Sequence, residues 1–158
     1  MIMPRKLNKI PCSIWVRKTI EKMYNNDEDS PDAWAQYWAD SYYELGGKSE
    51  NIARKGCPRC AAYALWQLGR IKESNEAFRH IPIKRVIEEF GRNATYAMIA
   101  LLMFEQSWSE KTGGEIWDEV RMRFERDTGL IAAKTEQGAV KLAKILFEEH
   151  QVVISGSA

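Results

Sequence analysis

Apolar residues recur along this chain at helical spacing, three and four positions apart, from Ile14 onward. Ile14, Trp15, Ile20, Met23 and Tyr24 stand among charged residues, the pattern of an amphipathic helix that Asn25-Asn26-Asp27 ends. Ser30-Pro31-Asp32 then supplies an N-cap, a proline for the first helical position and an early carboxylate. The second helix carries Ala33, Trp34, Tyr37, Trp38 and Ser41 as far as Gly46-Gly47. A third opens at Cys57-Pro58, sets Ala61, Leu65 and Leu68 on one stripe with Trp66 beside it, and stops at Gly69, where a left-handed C-cap glycine belongs. Residues 74–92 read as a short helix, a break at Pro82 and a further helix through IKRVIEEF. The run ATYAMIALLMFEQ after Asn93 is apolar nearly all round, which marks a central buried helix. Thr112 opens another through EIWDEVRMRFER, stopped by Gly129; the last starts near Glu136 and fades into VVISGSA, where only residues 151–155 suit a short strand.

The expected fold is therefore all-α, one compact domain over residues 1–158 with six to eight helices centred on residues 94–106. Its expected core includes Trp34, Trp38, Leu65, Leu68, Ile99, Leu102 and Trp117. The pattern also allows two diverged three-helix units, 11–73 and 93–154. In each, an amphipathic helix precedes a Trp-bearing helix (SPDAW, TGGEIW), and a later helix ends on an aromatic residue, Trp66 in ALWQLGRI and Phe147 in ILFEEHQVV.

Composition adds little to this. At 158 residues, 45% hydrophobic and 28% charged, the chain is an ordinary globular one, and a net charge of +1 demands no polyanionic partner. The start, MIMPRKLNKIPCSIW, lacks the continuous apolar region of a signal peptide, and the longest apolar run, Ala97 to Phe104, is far short of a membrane span. Three cysteines, an odd number, fit a reducing compartment, so a cytoplasmic location with no membrane association is expected. Charge is nonetheless patterned. Residues 1–25 hold six Lys/Arg against one Glu, residues 26–50 seven Asp/Glu against one Lys, and residues 51–92 nine Lys/Arg against four Glu. Blocks of this kind suit solvated helix faces.

The stretch KGCPRCAAYALWQLGRIKE carries the sharpest candidate chemistry. With Cys57 at the N-cap, Pro58 first and Cys60 two residues on, free helix N–H groups plus Lys55 and Arg59 would favour a thiolate. The four residues resemble the active turn of thioredoxin-like oxidoreductases, which implies thiol redox activity at Cys57 and Cys60. Those enzymes place the motif after a strand, and no strand pattern precedes Gly56. One Cys-x-x-Cys supplies two zinc ligands where a structural site needs four, and Cys12, His80 and His150 are scattered singles. The preferred reading is that Cys57 and Cys60 are reduced, buried and act as small apolar residues at a helix start. The acidic turn NNDEDSPD lacks the glycine and spaced glutamate of a calcium loop. No His lies at a nucleophile's spacing and no glycine-rich phosphate loop follows a strand, so no catalytic residue, metal or cofactor is assigned.

Two further resemblances bear on function. The ends ALWQLGRIKE and ILFEEHQVVIS resemble the close of a recognition helix in winged-helix proteins, where a helix stops at a glycine and an isoleucine begins the wing. This implies nucleic-acid binding by a helix-turn-helix-like protein, through the basic segments 1–25 and 51–92. Arg5, Lys6, Lys9, Arg54, Lys55, Arg59 and Arg70 would then form a phosphate-binding face. The same segments, with NATYAMIALL and GGEIWDEV, resemble small uncharacterised bacterial all-helical proteins, which implies the fold and brings no activity with it. The favoured expectation is a non-enzymatic interaction protein that binds another protein or a second copy of itself. Six tryptophans and six tyrosines, types enriched at interfaces, support a homodimer.

Overall fold

A computed structural model describes residues 10–26, 29–72, 74, 76–106, 113–135 and 138–153. The described chain is all helical: α1 Cys12–Asn26, α2 Pro31–Glu44, α3 Glu50–Arg54, α4 Gly56–Gln67, α5 Ile83–Phe90, α6 Arg92–Gln106, α7 Gly113–Thr128 and α8 Ala139–Glu148. Seven of these lie where the apolar periodicity puts a helix. Their starts and stops follow local chemistry: Ser30 Oγ accepts from the Ala33 N–H at 3.0 Å to cap α2, and Pro31 occupies its first position. Helix α3 is an addition. Five residues are too short to show a period, but Ser49 caps them by accepting from the Ile52 N–H.

Helix α6 is the axis of the bundle. Every residue from Ala94 to Leu101 is buried, and the helix packs on α4, α5, α7 and α8, which is why its sequence is apolar on all sides. Helices α1 and α2 form a neighbouring layer, with α8 and α4 between them and α6. Six of the seven expected core residues are buried; Leu102 is the exception, half-buried near the end of α6.

Tryptophans hold the first half together. Trp15 stacks on Trp38 with ring centroids 4.1 Å apart, Trp38 on Trp34 at 6.1 Å, and Trp34 on Trp66 at 5.3 Å. Three of the four indole N–H groups are satisfied across elements: Trp15 donates to the Trp38 carbonyl, Trp34 to the Arg59 carbonyl and Trp66 to the Tyr24 hydroxyl. In the second half Trp117 plays the same part, donating to the Lys134 carbonyl and meeting Tyr96 edge-on. Each buried indole removes ~150–250 Å² from water, about 4–6 kcal/mol at ~25 cal/mol/Å² before the entropy of ordering is subtracted.

The ends of α4 and α8 match position for position. In α4 the Arg70 N–H donates to the Leu65 carbonyl and the Gly69 N–H to the Trp66 carbonyl; in α8 the Gln151 N–H donates to Leu146 and the His150 N–H to Phe147. Both are Schellman closures. The left-handed residue is Gly69 (φ 70°) in one and His150 (φ 57°) in the other. The two ends then join: Ile71 and Val152 make an antiparallel bridge, with the Lys72 N–H donating to Gln151 and the Val153 N–H to Arg70, both at 2.8 Å. At the opposite end Pro58 lies against Gly138, so α4 and α8 run side by side in the same direction. Ile71, the residue that the winged-helix likeness puts at the start of a wing, pairs across the molecule. No named strand occurs among the described residues.

Residues 76–81 depart from the expected helix and form no regular element. The reason is tertiary: Phe78 is held against the Arg70 guanidinium, 3.9 Å from its ring centre, and the Arg79 N–H donates back to the Leu68 carbonyl. A helix here would withdraw both contacts.

Candidate functional site

Among the described residues singled out for nucleic-acid binding, Arg70 stands apart from Arg54, Lys55 and Arg59. Arg54 and Lys55 are exposed at the α3–α4 junction, and Arg59 follows one turn on, half-buried. Its guanidinium turns back to donate to the Arg54 carbonyl at 3.4 Å. Arg70 is elsewhere: only 3% exposed, it lies between the Phe78 ring and the Glu105 carboxylate, 3.9 Å from the latter, and donates to the Arg79 carbonyl. Burial lowers its pKa, and the Glu105 charge opposes that shift. Arg70 is therefore an interior cation and cannot contribute to an exposed phosphate face. Arg5, Lys6 and Lys9 lie outside the described residues.

The paired cysteines also differ from expectation. Cys60 is a free, exposed thiol. The buried stripe of α4 is formed by Ala61, Ala62, Ala64, Leu65 and Leu68, which turns Cys60 outward. The helix starts at Gly56 with Lys55 as its N-cap residue, so Cys57 sits inside the first turn and not at the cap; its side chain is outside the described set. Among the described residues no group of three or more His, Cys, Asp or Glu could hold a metal ion, and no helix is long and apolar enough to cross a membrane.

What the fold does assemble is a cleft of about 230 Å³ where three helices meet. The start of α2 supplies Pro31, Asp32, Trp34 and Ala35; the first half of α4 supplies Arg59, Cys60 and Tyr63; the end of α5 supplies Glu89 and Phe90. Local chemistry fixes each wall. The Ser30 cap and Pro31 set the α2 start, and the Trp34 indole N–H pins α2 to the Arg59 carbonyl of α4 at 3.1 Å. Tyr63 packs on Trp34 at 5.6 Å and edge-on to Phe90 at 6.5 Å, which carries the aromatic wall from the core out to α5.

Charge in and around the cleft is mixed: Asp32 and Glu89 stand with Arg59, and Arg79 is paired with Glu89. Asp32 is exposed in the first turn of α2, where the helix dipole stabilises a carboxylate, and no ion pair among the described residues involves it. Glu89 is held by a forked contact from Arg79, at 3.0 and 3.2 Å, and this partner keeps its carboxyl below the usual range. Asp29 Oδ1 accepts from Gln67 at 2.8 Å and from the Tyr63 hydroxyl at 3.4 Å. Burial, with the charges of Asp29 and Glu76, pushes the Tyr63 phenol up to about 12. No histidine lines the cleft, so no imidazole is placed beside Cys60 there.

A second cleft of about 190 Å³ lies on the α1 side, lined by Arg17, Ile20, Glu21, Tyr24 and Lys72. It has one aromatic residue and no carboxylate besides Glu21.

Set against known protein families, curated proteins and solved structures, the chain finds no match in any of the three.

Proposed function

We propose that this protein is a binding module that receives a segment of another protein in the α2–α4–α5 cleft. The observation that carries this reading is the cleft's construction: half-buried Tyr63 and Phe90 over the buried Trp34, with Asp32, Arg59, Cys60 and Glu89 around the mouth. Aromatic floor and polar rim are the layout of a recognition pocket. At about 230 Å³ it is smaller than the ~300–1,000 Å³ typical of small-molecule sites and suits a single large side chain better than a whole cofactor. Thiol catalysis of the Cys-His kind would need an imidazole within reach of the sulfur, and the lining provides none.

Of the sequence-derived alternatives, self-association rests on the exposed Tyr24 and Tyr43 more than on the described tryptophans. Trp15, Trp34, Trp38, Trp66 and Trp117 are all buried in the protein's own core and are not available to an interface.

Calorimetric titration of the intact protein with sets of short capped peptides, basic, acidic and apolar, tests the reading. Saturable binding by at least one set is expected, with its loss in Ala35→Trp, which fills the cleft. Cys60→Trp at the rim serves as a second filling variant should the first fold poorly. Flat titrations from every set would overturn the proposal.

A further inference from the structure

We infer that the segment this cleft receives is the 129–134 turn of a second copy of the chain, with Ile131 as the side chain that enters. This rests on the binding reading above and names its partner.

The turn is built to present that side chain. Ile131 is 81% exposed, more than any other large apolar residue described, and Leu130 beside it is 43% exposed. A single exposed apolar residue on a loop is ordinary, but this loop is pinned along its backbone at four successive residues. The Leu130 N–H donates to Thr128 Oγ at 3.1 Å, and the Ile131 carbonyl accepts from Arg92 at 2.6 Å. The Ala132 N–H donates to Glu125 at 2.9 Å and the Ala133 N–H to the Tyr96 hydroxyl at 3.0 Å. With the backbone fixed in advance, little further ordering is lost when the side chain docks.

Knob and hole adjoin. Phe90 lines the cleft at the end of α5, and Arg92, two residues on at the start of α6, is the residue that holds the Ile131 carbonyl. A knob and a hole side by side on one surface pair twice across a two-fold axis. The Ile131 of each copy enters the cleft of the other, and the assembly closes as a dimer.

The chemistry of the two patches matches. Inside the cleft an occupant meets Pro31, Ala35, Tyr63 and Phe90. Two of the lining charges are committed within the molecule, Glu89 to Arg79 and Arg59 to the Arg54 carbonyl. An uncharged aliphatic side chain leaves those pairings in place and gains the aromatic wall. At the edge, Asp32 beside the cleft and Lys134 beside the turn are both exposed and opposite in sign. Neither is in an ion pair among the described residues.

Sedimentation of the intact protein over a wide concentration range tests the assignment, and a reversible dimer is expected. Ile131→Asp, at a site exposed enough to leave the fold alone, should weaken association by at least about tenfold, the loss of a central anchor. Ala35→Trp should do the same from the side of the hole, with Cys60→Trp as the second filling variant. Mixed together, the Ile131→Asp and Ala35→Trp proteins should recover part of the association that each has lost, because a mixed pair keeps one intact knob facing one intact hole. A dimer indifferent to Ile131→Asp, or one that persists in both filled variants, overturns the assignment. A protein that stays monomeric at every concentration overturns it too. In that case the cleft reading stands if capped peptides still bind and Ala35→Trp abolishes their binding, and falls as well if none binds.

Discussion

Ile71 faces Val152 across an antiparallel bridge that ties the end of α4 to the end of α8. Each follows a Schellman closure, and the two closures differ in the residue that takes the left-handed position, Gly69 in one and His150 in the other.

That difference sets a stability prediction. A non-glycine residue in this region carries a cost that glycine avoids. His150→Gly should therefore stabilise the protein by about 0.5–1 kcal/mol, read as a higher urea midpoint at unchanged slope. Gly69→Ala should act the opposite way and more strongly, because the added methyl would also run into the Ala77 backbone. A loss of stability in His150→Gly would show that the imidazole makes a contact outweighing its backbone conformation.

Arg70 separates an interior cation from surface ones. Arg70→Ala removes a buried cation together with its Phe78 and Glu105 contacts, so it should cost about 3–5 kcal/mol. Arg54→Ala, at an exposed site, should stay within ~0.5 kcal/mol. Chemical denaturation of the two variants checks the contrast; equal effects would contradict the placement of Arg70.

Much of the fold was legible because helices write their burial into the sequence at a fixed period, and α1, α2, α4, α5, α6, α7 and α8 all carry it. Helix α3 was hidden by its length. The non-helical run at 76–81 was hidden because its conformation is set by Phe78 on Arg70, a contact between residues with no common period. Charge blocks misled at Arg70, since a block says how many cations there are and not which way each points. One signal could have placed it: Arg70 follows the C-cap glycine, the position that packs back on the last turn in this motif. The candidate site was not legible at all. Asp32, Tyr63 and Glu89 come from three helices, and the packing of Trp34 on Trp66, the Trp34–Arg59 hydrogen bond and the Tyr63–Phe90 contact bring them together.

Alkaline pH should expose the Tyr63 environment. Its folded phenol is pushed up to about 12, while an unfolded tyrosine titrates near ~10. The stabilising contribution is complete below that unfolded value and is lost as pH rises toward 12, because the unfolded chain gives up the proton first. Urea midpoints at about pH 9 and pH 11 should therefore fall further in the native protein than in Tyr63→Phe. An equal fall in both would mean that other groups govern alkaline unfolding.

Cys60 should be the fast thiol. Exposed at the rim of the cleft, it should react with a disulfide reagent ahead of the half-buried Cys12, and Cys60→Ser should remove the fast phase. Persistence of that phase in the variant would assign it to another cysteine. A peptide bound in the cleft should slow the reaction of Cys60 and leave that of Cys12 unchanged.

The four stacked indoles have an optical consequence. Trp15, Trp38, Trp34 and Trp66 follow one another with centroids 4.1, 6.1 and 5.3 Å apart, close enough for their excited states to be shared. Light absorbed by any of them passes along the row, so α1, α2 and α4 behave as a single chromophore. Near-ultraviolet circular dichroism should then show a coupled signal that no one tryptophan would give, and replacing any of the four by phenylalanine should change its shape as well as its size. Because Trp34 is also a wall of the cleft, an occupant there should register in the spectrum of the whole row.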